Sequence, residues 1–110
     1  MTDLTHRTFE PFVKSHKFVV VHFWAPWNGI DAKMKTFLET EIPADLPESI
    51  AFARIDTDPV EHTDLCRSHR VLNLPLLEFY RDGSLVDTFG GFQKDKIIDK
   101  IRKLVSNSVS

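Results

Sequence analysis

Only one cysteine, Cys66, occurs among the 110 residues, which excludes an intrachain disulfide and any zinc site built from several thiolates. Excess charge of one sign is also missing. Lys and Arg number 14 against 16 Asp and Glu, a formal net charge of −2. That balance gives no electrostatic reason to expect nucleic acid or an acidic membrane surface as a partner. Long apolar runs are absent too: Phe18 to Val21 is the longest and is far too short to span a bilayer. Met1 to Lys17 is mostly polar, with no apolar stretch following a basic start, so no secretory signal is read there and a cytoplasmic domain is expected. No repeat, linker or low-complexity segment divides the chain. With 42% hydrophobic and 27% charged residues, the composition suits a single folded domain over 1–110, with a polar tail from about Ser106.

The order of elements follows from periodicity and punctuation. Thr8 is read as the cap of a short helix whose apolar stripe is Phe9, Phe12 and Val13. Lys17 to Trp24 is β-branched, aromatic and almost continuously apolar. A strand buried on both faces reads this way, which places helices on either side of a sheet. Ile30, Met34, Phe37 and Leu38 recur at helical spacing and predict a helix to about Thr40. Pro43 and Pro47 make a loop, and Ile50 to Asp56 resumes as a strand. Asp58-Pro59-Val60-Glu61 resembles a helix start, with Asp58 as cap and Glu61 closing a capping box, for a helix to about His69. Leu76 to Tyr80 and Ser84 to Phe89 flank Asp82-Gly83, a hairpin dipeptide. Ile97, Ile98, Ile101, Leu104 and Val105 form the stripe of a last helix. The string α-β-α-β-α-β-β-α implies an α/β domain with a mixed central sheet and helices on both faces.

Several segments in the right order resemble the thioredoxin family over nearly the whole chain. Phe23-Trp24-Ala25-Pro26-Trp27-Asn28-Gly29 is similar to the family's lead into its active-site helix. Asn73-Leu74-Pro75 is similar to the segment carrying its cis-proline, with the hairpin to Asp82-Gly83 behind it. Ile55-Asp56-Thr57-Asp58 resembles the end of the central strand, and Gly90-Gly91 falls where the family has a glycine lining its groove. The resemblance implies the thioredoxin fold. It also marks two departures, because Asn28 and Asp31 stand where the family has its two cysteines, with Ile30 in place of the proline between them. Dithiol exchange needs sulfur for both attack and resolution, so loss of that activity is expected. His22 stands where many members bury an acid.

These residues have readings of their own. Asn28 suits an N-cap, and an acid three positions on suits a helix N-terminus. A buried hydrogen bond between His22 and Asp31 is the sharper expectation for that pair. His62, Cys66 and His69 share one helical face, yet no fourth ligand is apparent, and neither metal nor cofactor is expected. Cys66 is expected to pack in the core. The resemblance implies a groove in which Leu74, before Pro75, offers its backbone to an extended segment, flanked by Trp27, Gly29, Ile30 and Gly91. The leading expectation is a redox-inactive, monomeric module that binds a protein or extended peptide. The rival is an enzyme, either a thiol–disulfide oxidoreductase by family or a different chemistry at Cys66.

Overall fold

The computed structural model describes residues 1–106; the expected tail beyond Ser106 lies outside the described residues. The chain runs β1 (Thr2–Leu4), α1 (Phe9–Lys14), β2 (Phe18–Trp24), α2 (Gly29–Thr40) and β3 (Ile50–Asp56). It continues through a 3-10 turn (Val60–His62), α3 (Thr63–Ser68), β4 (Leu76–Arg81), β5 (Ser84–Gly90) and α4 (Lys94–Ser106). The five strands form one mixed sheet in the order β1-β3-β2-β4-β5. In it β2 is parallel to β3 and antiparallel to β4.

The apolar continuity of β2 has the cause expected of it. Val20 joins a core with Met34 and Phe37 of α2 and Ile97 and Ile101 of α4. Val19, Val21 and Phe23 point the other way, into a core with Phe9 and Val13 of α1. Successive side chains of a strand alternate between faces, so helices on both faces require an unbroken apolar run. The thioredoxin fold follows from this layering. At the β4–β5 turn Asp82 and Gly83 both take positive φ, 52° and 83°, the backbone that a two-residue hairpin loop requires.

Three local expectations are corrected. The string of elements lacked β1, whose only buried residue is Leu4; its extended form comes from pairing Thr2 with Ala53 and Leu4 with Ile55, helped by Arg54 on Asp3 at 2.6 Å. Thr8 precedes α1 but does not cap it, because its hydroxyl accepts the Thr5 N–H at 2.9 Å instead. Asp58 caps no helix. Pro59 leads into a 3-10 turn rather than an α-helix, and the Asp58 carboxylate is engaged elsewhere.

Candidate functional site

Two turns meet at one end of β2, where α2 begins and where β4 is entered. Asn28 is extended, at φ −98° and ψ 105°, and its Oδ1 accepts the Ile30 N–H at 3.3 Å, as an N-cap does. Asp31 behaves differently from a surface acid at a helix start. Its side chain turns inward and is 2% exposed. Oδ1 accepts from His22 Nε2 at 2.9 Å, and Oδ2 accepts the Ala25 N–H at 3.0 Å. His22 is fully buried, and its Nδ1 has no partner among the described residues. Asp31 therefore ties the first turn of α2 both to the strand beneath it and to the Ala25-Pro26 turn before it. The sequence suggested the His22 contact, but not the bond to Ala25.

Across the helix start lies a cleft of about 500 Å³ lined by Trp27, Asn28, Thr57, Cys66 and residues 71–74. Trp27 is 72% exposed, yet its indole is fixed because Nε1–H donates to Asp58 Oδ1 at 3.0 Å. That bond accounts for the missing cap: Asp58 holds an aromatic wall in place. Leu72, which also lines the cleft, is 84% exposed. The Leu74–Pro75 peptide bond is cis, and Pro75 C=O accepts the Gly91 N–H at 3.0 Å. Among the described residues, neither Leu74 N–H nor Leu74 C=O has a hydrogen-bond partner. Gly91 has φ +96°, which a residue bearing Cβ adopts only with strain.

The structure thus gathers Trp27, Asn28 and Leu74 around one cleft. Gly29, Ile30, Asp31, Pro75 and Gly91 lie outside its lining. Val71 and Leu72 are lining residues that sequence reasoning passed over, and Thr57 and Asn73 entered it only as parts of the resembling segments, without a role in the site. The expectation for Cys66 is corrected: it is half-buried at the cleft rather than packed in the core. Burial pushes its thiol up from the ordinary value, and the negative charge of Asp56 adds to that. It is a poor nucleophile at neutral pH. The histidines on either side of it diverge. His62 Nδ1 donates to Asp56 C=O at 2.6 Å, whereas His69 Nδ1 donates to Glu78. Among the described residues no group of three or more His, Cys, Asp or Glu is arranged to hold a metal ion.

This combination of a mixed five-strand sheet, a helix start after Trp27 and a facing cis-proline defines a thioredoxin-type domain. The thioredoxin family model matches residues 1–103, and the chain belongs to that family. It is 29% identical over 92 residues to monothiol glutaredoxin-S17 of Arabidopsis thaliana, covering 84% of this chain and 18% of that protein. To protein disulfide-isomerase of Humicola insolens it is 30% identical over 94 residues, covering 86% and 18%. It therefore spans about a fifth of the length of these relatives. Among solved structures, thioredoxin of Malassezia sympodialis superposes with a TM-score of 0.82 at 21% identity, covering 96% of this chain and 93% of that one. Thioredoxin f from spinach chloroplast gives 0.81 at 24%, with coverage of 96% and 93%. At such identities these structures speak for the fold alone.

Proposed function

We propose that this domain is a redox-inactive member of its family, lacking both active-site cysteines, that binds an extended protein segment in the groove around Trp27 and Pro75. The observation that carries the reading is the pairing of a fixed aromatic wall with unpaired backbone. Trp27 is held open to solvent by Asp58, and the Leu74 N–H and C=O face no protein partner. Unpaired main chain beside an apolar wall is what a strand-like ligand needs, since its own N–H and C=O groups supply affinity and its side chains contact the walls. No sulfur is required for such recognition. In this reading the domain acts as a monomer without cofactor, in the cytoplasm, and its partner is a protein rather than nucleic acid or membrane.

The rival reading is single-thiol chemistry at Cys66, favoured by that residue's place in the cleft. A raised thiol pKa and the lack of a second cysteine for resolution weigh against it.

The test uses a displayed library of random dodecapeptides free of cysteine, selected on the wild-type chain. A selected peptide is then titrated while backbone amide shifts are followed. The expected result is perturbation centred on Trp27, Leu72, Leu74 and Gly91, and its loss in Trp27→Ala. Perturbation confined to β1 and α1 would remove the groove from consideration.

A further inference from the structure

A second polar cluster lies beneath β4, on the face covered by α1 and α3, and the groove reading makes no use of it. Glu78 is 1% exposed, between the buried Leu77 and Phe79. Its carboxylate accepts Tyr80 Oη–H at 2.5 Å and His69 Nδ1–H at 2.8 Å and 3.0 Å. The His69 ring packs edge-on against Phe9 at 5.0 Å and tilted against Phe23 at 5.8 Å. A carboxylate this deep is costly unless it is paired and hydrogen-bonded, and these two donors meet that need.

The cluster's position along the chain gives it a consequence beyond stability. His69 follows the last residue of α3, and Glu78 is the third residue of β4. Between them run Arg70, at φ 54°, then Val71, Leu72, Asn73 and Leu74 of the cleft wall, and Pro75. Inside this loop Val71 and Leu74 pack against the core on the α1 side, but the backbone has few hydrogen bonds of its own. Val71 N–H reaches Cys66 C=O at 3.0 Å, but the Leu74 backbone is unpaired.

We propose that His69, Glu78 and Tyr80 are positioning residues for the groove, joining the two ends of the loop that forms its wall, and that protonation of His69 sets how firmly the wall is held. The effect on the wall stands on the geometry; only its effect on ligand affinity rests on the groove reading. With His69 charged, an imidazolium closes onto a buried carboxylate. With His69 neutral, Nδ1–H can still donate to Glu78, but the charge-assisted part of that bond is gone and the clasp weakens.

The other groups around His69 leave this balance in place. From α1, Glu10 and Lys14 line a small cavity with His69 and Tyr80, and they pair with each other at 2.5 Å. On the helix side Arg67 is 3.9 Å from Asp64, and Arg70 is exposed. Phe23 of β2 and Leu85 and Thr88 of β5 bring no charge. The hydrogen bond to Glu78 and its charge hold the imidazole above the usual 6.5, against the opposing pull of burial. Because the folded value is the higher one, the pair's contribution is fully present below about pH 6.5. It is lost as pH rises through the folded value.

The experiment follows the ring of His69 and the amides of residues 71–74 by NMR in the intact, ligand-free chain, from about pH 5.5 to about 8.5. The expected result is that these amides shift with the midpoint of the His69 ring, above 6.5. His69→Gln keeps an N–H donor without titrating and should abolish that pH response. Glu78→Gln, where it folds, should bring the midpoint down to 6.5 or below, because burial then acts without the carboxylate that opposes it. Amides 71–74 that ignore the His69 titration, or that still titrate in His69→Gln, would overturn the proposal. A selected groove peptide should bind several-fold more weakly above the midpoint than below it. If the loop follows His69 but no peptide binds, the groove reading fails alone. If a peptide binds equally at both pH values while the loop ignores His69, the clasp fails alone.

Discussion

Asp31→Ala is expected to lower the stability of the domain by about 3 kcal/mol, as stranding buried donors does. The substitution removes two acceptor oxygens at once. His22 Nε2–H loses its partner at 2.9 Å, and Ala25 N–H loses its partner at 3.0 Å. Neither donor reaches water, because His22 is 0% and Ala25 1% exposed. Asp31→Asn keeps one acceptor and should cost about 1 kcal/mol, the scale of a single lost hydrogen bond. Urea unfolding monitored by circular dichroism measures both, the midpoint falling with an unchanged slope. A double-mutant cycle with His22→Phe isolates the pair and should return a coupling of about 1 kcal/mol or more. A coupling below about 0.3 kcal/mol, the scatter of independent sites, would mean that Asp31 does no structural work through His22.

The second large effect is an absence of turnover. In an assay of insulin disulfide reduction by dithiothreitol, the wild-type chain is expected to leave the rate at that of the reductant alone. Cys66→Ala should be indistinguishable from it. Thiol–disulfide exchange begins with a thiolate and ends when a second thiol displaces the first from the mixed disulfide. Cys66 meets neither condition: its thiol is pushed up by burial and by Asp56, and the chain holds no other cysteine. Were Cys66 to attack a substrate, the chain could offer no second thiol to resolve the mixed disulfide, and its release would fall to dithiothreitol itself. Catalysis abolished by Cys66→Ala would overturn the redox-inactive reading and make Cys66 the reactive group.

What the sequence revealed of these features depended on how local their causes were. The run from Phe18 to Trp24 announces a central strand because both faces of β2 are covered, and Asp82-Gly83 announces its turn because the backbone there must take positive φ. Thr2 to Leu4 carries no such signal, since its extended form comes from β3, some 50 residues away. Asp58 read as a cap from its neighbours, but its partner Trp27 lies 31 positions earlier, and only tertiary structure unites them. Cys66 missed the core because its neighbour on α3 occupies it. Leu65 takes the core-facing position, and the next residue lies about 100° further round the helix, where Cys66 lines the cleft. Glu78 stood in plain view as an acid in an apolar strand, a signal that something must satisfy it. Which residues did so, His69 and Tyr80, required the packing of α3 on the sheet.

The central claim, that this groove recognises a segment by main-chain and aromatic contact without sulfur, is tested most directly by one titration. A cysteine-free dodecapeptide selected on the wild-type chain is titrated calorimetrically into wild type, Cys66→Ala and Trp27→Ala. The account predicts the same Kd for wild type and Cys66→Ala, within about twofold, and a loss of about tenfold or more in Trp27→Ala, as for a buried aromatic anchor. Binding that disappears with Cys66 and is indifferent to Trp27 would contradict it.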